Sequence, residues 1–157
     1  MRLMSNSTSN IMSITEDFLS AAEEKEIIDA IVEAESQTSG EIRVHIEEHS
    51  DLPVLDRAQE VFAMLEMDKT NARNGVLFYV GVKDRHFAII GDDGIDAVVP
   101  YDFWETTKQK VIEQFKVNNF KQGLIAGILH TGKQLKNFFP SHGKENINEL
   151  PNEISRG

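Results

Sequence analysis

The stretch of sequence that decides the fold lies at residues 75–82 and reads GVLFYVGV. It is apolar at nearly every position, which is typical of a central strand covered on both faces. Two polar residues, Lys83 and Asp84, follow as a short turn. Residues 85–90 (RHFAII) then predict a strand that returns antiparallel to the first. The fold therefore centres on a buried strand and its hairpin partner.

A third strand is predicted upstream at residues 41–47, where apolar and polar side chains alternate. Such alternation indicates a strand with one buried face. Helices are predicted from the capping box of Ser20 and Glu23, from Pro53, from Asp102 and over residues 121–138. The order α-β-α-β-β-α-α predicts an α/β fold, namely a three-layer α/β/α sandwich around a mixed central sheet.

The chain is predicted to form one domain, since it has 157 residues. Residues 1–13 are mostly polar and are interpreted as a flexible leader without the apolar core of a signal peptide. Residues 14–140 form the predicted domain, because Pro140 ends the last helix. Residues 141–157 are polar and lack periodicity, so they are predicted to be a disordered tail.

The composition excludes several classes of function. Without cysteine, the chain forms no disulfide, zinc–thiolate site or cysteine nucleophile. Its formal net charge of −10 argues against nucleic acid and anionic membranes as partners. No apolar run reaches the roughly 18 residues that cross a bilayer. We therefore expect a cytoplasmic protein without membrane insertion, monomeric by default, with an unknown protein partner left open.

Strand direction predicts that three polar segments meet at one edge of the sheet. If the strands at 41–47 and 75–82 are parallel, the hairpin strand ends beside the starts of both. That arrangement brings together residues 38–41, 68–74 and the acidic loop 91–96, which reads GDDGID. The polar side chains that converge on this acidic rim are Glu41, Asp68, Asn71, Asn74, Asp92, Asp93 and Asp96.

Several carboxylates that share a rim repel one another, and a bound cation relieves that repulsion. The available ligands are oxygens, which suit Ca²⁺ or Mg²⁺ better than zinc or copper. The loop lacks the spacing of an EF-hand. The sequence thus predicts a divalent-cation site formed by Asp92, Asp93, Asp96, Glu41, Asp68 and Asn74. In the alternative, Asp92 caps a turn and the other side chains are simply solvated.

The same segments carry a family likeness. The sequence resembles the TPM domain family, which includes a thylakoid-lumen protein and a photosystem II repair factor. The likeness rests on residues 38–44 (TSGEIRV), residues 73–77 (RNGVL), the pair Asp84-Arg85, the acidic loop 91–96, Phe115 and residues 120–124 (FKQGL). It covers residues 36–140, which is nearly all of the predicted domain.

The resemblance implies an α/β/α sandwich, a divalent-cation site as in some members, and the acid phosphatase activity of at least one. The family's common loop pattern is Gly-x-Gly followed by an apolar residue and Glu. Here Gly94 is followed by Ile95 and Asp96, so Asp96 is the counterpart of that acid. Many relatives carry a signal peptide or a membrane anchor, and this sequence shows neither, so the lumenal and repair roles do not transfer.

Three functions remain open at this stage. The first is a cation-binding domain with a regulatory or interaction role. The second is a weak metal-dependent phosphomonoesterase at the same rim, in which a metal-bound water is the nucleophile, although no general acid is evident. The third is a metal-free acidic domain that meets a basic partner. Residues 127–133 partly match a phosphate-binding loop, but Gln134 stands where Ser or Thr is needed, and Gly127 and Gly132 indicate close helix packing instead.

Overall fold

The computed structural model describes residues 18–141 and 148–157 of the chain. The helices are α1 (Ala21–Glu35), α2 (Val54–Met64), α3 (Asp93–Asp96), α4 (Glu105–Phe115) and α5 (Phe120–Leu135), with a 3₁₀ turn at Met67–Lys69. The strands are β1 (Glu41–Glu47), β2 (Gly75–Gly81), β3 (His86–Gly91) and β4 (Ser155–Arg156). The predicted leader, residues 1–13, lies outside the described residues. Across the described ranges, no helix is long and apolar enough to span a bilayer.

The four strands form one mixed sheet in the order β3-β2-β1-β4. β1 and β2 are parallel neighbours, with Glu41 opposite Gly75. β3 is antiparallel to β2, and its last residue, Gly91, lies opposite Val76. Every residue of β2 is buried, because both faces of this strand are covered. The prediction of a central strand with a hairpin partner is confirmed.

Helices cover both faces of the sheet, so the predicted α/β/α arrangement is confirmed. On one face, α1, α4 and α5 pack on the sheet through a core that includes Ile27, Ile31, Val111, Leu124 and Ile128 against Ile42, Val44, Val76 and Phe78. On the other face, α2 packs through Ala58, Val61 and Phe62 against Leu77 and Tyr79. Burial of each such large side chain contributes about 1.5–3 kcal/mol.

Two glycines let α5 approach its neighbours closely. A Cβ atom on Gly132 would lie 2.8 Å from the Cα atom of Ala34 in α1. A Cβ atom on Gly127 would lie 2.5 Å from Cγ2 of Val111 in α4. Because neither position has room for a side chain, the predicted role of these glycines in helix packing is confirmed.

The prediction that β1 has only one buried face is wrong. All seven residues of the strand are buried, including Arg43, His45 and Glu47 on the polar face. This face lies under α2 and beside β4. Hydrogen bonds rather than solvent hold the side chains of Glu47 and His45, whereas Nε of Arg43 is buried without a hydrogen-bond partner in the described ranges. Alternating polarity therefore marks the strand correctly but misjudges what covers it.

The structure differs from the prediction of a disordered tail at residues 148–157. Ser155 and Arg156 pair with β1 in parallel, opposite His45 and Ile46. Leu150 is buried in the core beneath α2, and the guanidinium of Arg156 lies 2.6 Å from the carboxylate of Glu24 in α1. Backbone pairing, this ion pair and the apolar side chains of Leu150 and Ile154 hold the segment, and none of these produces a periodic sequence pattern. Residues 142–147 of the predicted tail lie outside the described residues.

The helix starts are predicted with mixed success. At α1, the side chain of Ser20 accepts from the amide of Glu23, and Glu23 accepts from the amide of Ser20, which confirms the capping box. Helix α4 begins at Glu105 rather than after Asp102, and its N-cap residue, Trp104, makes no side-chain capping bond. Trp104 packs edge-on against Phe103 with ring centroids 4.8 Å apart, so packing replaces capping at this end.

Candidate functional site

The three segments of the acidic rim do meet at one edge of the sheet. The amide of Glu41 donates to the carbonyl of Asn74 at 3.2 Å, and the amide of Asp92 donates to the carbonyl of Gly75 at 3.0 Å. The amide of Gly94 donates to the carbonyl of Arg73 at 2.9 Å. Backbone hydrogen bonds thus join all three segments, as the strand directions predict.

The acidic loop forms the short helix α3. Asp92 is its N-cap, and its Oδ1 accepts from the amide of Asp93 at 2.7 Å. Ile95 is fully buried and anchors the helix to the core. A Cβ atom on Gly94 would lie 2.2 Å from the carbonyl oxygen of Ala72. Only glycine allows this close approach, which presses the acidic turn against residues 72–73.

Arg73 binds Asp92 through two hydrogen bonds. Its Nε donates to Oδ2 at 2.9 Å and its Nη2 donates to Oδ1 at 3.0 Å. The Asp92 side chain is 4% exposed, whereas that of Arg73 is 46% exposed. The bonds with Asp92 raise the pKa of Arg73, and the charges of Asp93 and Asp68 add to that effect. A guanidinium therefore already neutralises the buried aspartate of the rim.

Asp96 and Asp93 complete the aspartate group of α3. Burial raises the pKa of Asp96, and the negative charges of Asp93 and Asp92 raise it further. The side chain of Asp93 is 86% exposed, and its Oδ2 lies 3.4 Å from Nη2 of Arg73. Three carboxylates thus lie within interaction distance of one another around a single helical turn.

The backbone of Glu41 lies at the rim, but its carboxylate points away from the aspartate group, towards residues 149–150. Its two oxygens accept from the amide of Glu149 at 2.7 Å and from the amide of Leu150 at 2.6 Å. Burial raises the pKa of Glu41 to about 7, although both amide bonds favour the charged form. Its carboxylate thus fastens residues 149–150 across the start of β1.

The remaining rim residues are placed differently from one another. Asn74 is buried, and its Nδ2 donates to Oγ of Ser39 at 3.4 Å. In the described ranges its Oδ1 has no hydrogen-bond partner, which leaves one free acceptor at the rim. Asp68 is exposed on the 3₁₀ turn. The amide of Asn71 donates to the carboxylate of Glu149 at 3.1 Å.

The donors at the rim are all oxygens, which fits a hard divalent cation. Within residues 18–141 and 148–157, however, no three His, Asp or Glu side chains stand in an arrangement that would hold a metal ion as they are. The bidentate pair of Arg73 and Asp92 is one physical reason, because the guanidinium occupies both oxygens of the most buried aspartate.

A second polar cluster lies at the opposite end of the parallel strands, and the sequence did not single it out. The carboxylate of Glu47 accepts from Nη2 of Arg57 at 2.7 Å and from Nε at 2.8 Å. It also accepts from the hydroxyl of Tyr79 and lies 3.1 Å from Nε2 of His45. Burial opposes the charge, but these bonds outweigh it and lower the pKa of Glu47 to about 2. The polar alternation in β1 was the available signal.

Comparison with known proteins decides the family. The family model described as the TPM domain matches residues 13–134, which include every rim segment. The chain belongs to the TPM domain family. No curated protein sequence matches it.

Solved structures agree with this TPM assignment. The chain is similar to the BA42 protein of the psychrophilic bacterium Bizionia argentinensis, with 53% identity, a TM-score of 0.86, and coverage of 96% of this chain and 100% of that one. The N-terminal domain of a P. gingivalis protein has 20% identity and a TM-score of 0.62, with coverage of 78% and 79%. The N-terminal domain of the cg2496 protein of Corynebacterium glutamicum has 11% identity and a TM-score of 0.62, with coverage of 86% and 88%. The last two show a shared fold.

The TPM match ends before residues 148–157. This last segment nevertheless supplies both amides that bind Glu41, at the first residue of β1. In this TPM domain, one residue of the rim is therefore held by a part of the chain that the family model does not cover.

Proposed function

We propose that this TPM domain binds a divalent cation, Ca²⁺ or Mg²⁺, at the acidic rim and serves a regulatory or interaction role. The observation that carries the proposal is the aspartate group of α3, in which Asp92, Asp93 and Asp96 share one turn, and in which burial first and the charges of Asp93 and Asp92 second raise the pKa of Asp96. A cation among them would relieve the repulsion between these three carboxylates.

The proposed ligands are the carboxylates of Asp92, Asp93 and Asp96. The buried Oδ1 of Asn74, which has no partner in the described ranges, is a further oxygen at the same edge of the sheet. Glu41 is left out of the proposed set because its carboxylate is bound to two backbone amides. Asp68 adds negative charge near Arg73 and attracts the cation to the rim without being required as a ligand.

The guanidinium of Arg73 competes with the cation for the carboxylate of Asp92. It holds both oxygens of Asp92, so a divalent ion has to displace it before that carboxylate is available. The side chain of Arg73 is 46% exposed, which lets it move to solvent without opening the core. We therefore expect modest affinity and a site that exchanges a protein cation for a metal ion.

Calorimetric titration with CaCl₂ and MgCl₂ at constant ionic strength tests this proposal. Asp93→Asn and Asp96→Asn should each weaken binding by about tenfold or more, because loss of a ligand costs at least as much as loss of an outer-shell partner. Asp102→Asn is the matched control, since Asp102 is exposed and lies outside the rim. Equal affinity in all three variants would refute the site.

A phosphomonoesterase activity at the same rim is the second candidate. The name of the matching TPM family model includes the word phosphatase, and the position of Arg73 beside Asp92 favours this activity here. Once displaced from Asp92, its guanidinium would remain beside the cation, where it could bind a phosphate in bidentate fashion. Hydrolysis of 4-nitrophenyl phosphate should then require the metal and be lost in both Asp93→Asn and Arg73→Gln. Turnover that survives these changes would dismiss the activity.

Other expectations remain predictions at this point. We propose a monomer in the cytoplasm that binds no nucleic acid, and the formal net charge of −10 supports the last of these. If no metal binds, the acidic rim would instead serve a basic protein partner. Light scattering at two protein concentrations tests the monomer, and a molar mass above 17.7 kDa that rises with concentration would contradict it.

A further inference from the structure

A cavity of about 400 Å³ lies at the end of the sheet opposite the acidic rim. It forms where β2 ends and β3 begins, and α4 and the start of α5 close its sides. Val80 and Gly81 at its base are buried, whereas Arg85 and Lys116 are exposed, so the cavity runs from solvent down to the central strand. Its volume is within the range of about 300–1,000 Å³ that is typical of ligand pockets.

The walls of the cavity are mainly aromatic. Phe87 and Phe115 stand edge to face with ring centroids 5.4 Å apart, and Phe115 and Phe120 do the same at 5.4 Å. Phe18 lies 4.5 Å from Phe120, centroid to centroid. Rings held against one another in this way keep their shape and offer both faces and edges to an apolar body. The walls therefore favour a ligand with a ring or a branched hydrocarbon part.

The polar groups of the cavity are basic. Arg85, His86 and Lys116 line it, and no carboxylate does so among the residues that the structure describes. This is unusual in a chain whose formal net charge is −10. The Nδ1 atom of His86 is buried and has no hydrogen-bond partner within the described ranges. The nearby Asp84 is itself engaged by His49 and by the amide of Ser50.

From the aromatic walls and the basic groups, we infer that this cavity binds a small amphipathic anion, namely an organic carboxylate, sulfonate or phosphate with an apolar body. The apolar body lies among Phe87, Phe115 and Phe120, and the anionic group lies near Lys116 and Arg85. Apolar pockets with a few convergent polar groups are the usual form of small-molecule sites.

This site is independent of the proposed cation site. At the rim, Val76 pairs with Gly91, and at the cavity Gly81 pairs with His86. The length of β2 separates these two pairs, at about 3.3 Å per residue. A test of ligand binding at the cavity is therefore independent of whether a metal binds at the rim.

Two fluorescent probes with the same ring system test the inference. 8-Anilinonaphthalene-1-sulfonate carries one negative charge, and N-phenyl-1-naphthylamine is the same ring system without the sulfonate. We expect the sulfonate to bind at one site with amide shifts at residues 80–87 and 112–120, and more tightly than the neutral amine. Equal affinity for the two probes, or shifts elsewhere in the chain, would overturn the inference.

Charge reversal at the mouth of the cavity sharpens the test. Lys116→Glu should raise the dissociation constant of the sulfonate probe by about tenfold and leave that of the neutral probe unchanged. Lys108→Glu is the matched control, because Lys108 is exposed on α4, the helix that Lys116 follows, and does not line the cavity. An equal effect of the two variants, or an equal effect on the two probes, would contradict a specific anion site. Near-ultraviolet circular dichroism confirms that each variant keeps its tertiary packing.

Discussion

The buried side chain of Glu47, at the end of β1, retains its negative charge because its neighbours form hydrogen bonds with both carboxylate oxygens. Arg57 supplies two of those bonds, and Tyr79 and His45 supply the others. Its side chain is only 4% exposed. A buried carboxylate without such partners would become neutral, whereas here the bonds lower the pKa of Glu47 to about 2.

Replacing Glu47 with Gln should therefore destabilise the fold. The change removes the charge and leaves Arg57 facing a neutral amide, so we expect a loss of about 3 kcal/mol in the free energy of unfolding. Urea denaturation at pH 7 measures the loss. Glu48→Gln is the control, since the neighbouring side chain lies outside the cluster, and it should change the free energy by less than about 0.5 kcal/mol.

The same residue gives a pH dependence with a defined sign. The pKa of Glu47 is about 2 in the folded chain against a usual value of 4.5, so its contribution is fully present above pH 4.5 and is lost as the pH falls towards 2. That contribution is on the order of 3 kcal/mol. Glu47→Gln should lose less stability than the wild type between those pH values. Parallel curves for the two proteins would contradict this account of the cluster.

Arg73 tests the competition at the acidic rim. Because its guanidinium occupies both oxygens of Asp92, Arg73→Gln should tighten Ca²⁺ binding several-fold. Lys69→Gln is the matched control, since it removes the same charge from an exposed position on the 3₁₀ turn. An affinity that falls in Arg73→Gln, or rises equally in both variants, would contradict a direct exchange of Arg73 for the metal.

At the scale of elements, residues 148–157 form a strap across β1. It pairs with β1 through Ser155 and Arg156, buries Leu150, and bonds to Glu41 through two amides. The contacts span the length of β1, from its first residue to the position opposite Ile46. Together with α2, this strap encloses the polar face of β1.

Leu150→Ala should weaken the strap. Truncation of a buried leucine costs about 2–5 kcal/mol, and we expect the lower end because Leu150 lies at the edge of the core. Hydrogen exchange at the amides of Glu149 and Leu150 should accelerate together with the loss in urea stability. Leu52→Ala is the control, since Leu52 is 40% exposed. Fast exchange of both amides already in the wild type would contradict a docked strap.

The strands and the strap show what the sequence predicts and what it leaves out. β2 can be predicted from the sequence because its burial on both faces requires an unbroken apolar run. The strap cannot be predicted because backbone hydrogen bonds, the ion pair of Arg156 with Glu24 and two isolated apolar residues, Leu150 and Ile154, hold it, and these leave no periodic pattern. The helical starts follow the same division: Ser20 caps α1 with its side chain, whereas Trp104 begins α4 through packing.

The rim follows the same logic. Strand direction alone predicts that residues 38–41, 68–74 and 91–96 meet, since parallel pairing fixes which strand ends lie together. It does not predict which side chains face one another. The carboxylate of Glu41 points towards the strap, and the guanidinium of Arg73 pairs with Asp92. Both contacts depend on local geometry that strand direction does not specify, such as the left-handed backbone of Arg73 at φ 52°.

At the scale of the whole molecule, the sheet separates two regions of opposite chemistry. The starts of β1 and β2 carry the aspartate group of α3, and the end of β2 carries an aromatic cavity with basic side chains at its mouth. A cation and an organic anion would therefore bind at opposite ends of the same strands. We expect the negative charge of the rim to repel the anion and the basic side chains of the cavity to repel the cation.

The central claim is cation binding at the acidic rim, and a Ca²⁺ titration followed by ¹H–¹⁵N correlation NMR at constant ionic strength tests it most directly. We expect progressive amide shifts at residues 72–74 and 91–97, with residues 80–87 and 112–120 unchanged. These shifts should vanish in the double variant Asp93→Asn/Asp96→Asn. Shifts confined to the glutamate-rich surface of α1, or shifts at the rim that persist in the double variant, would contradict the claim.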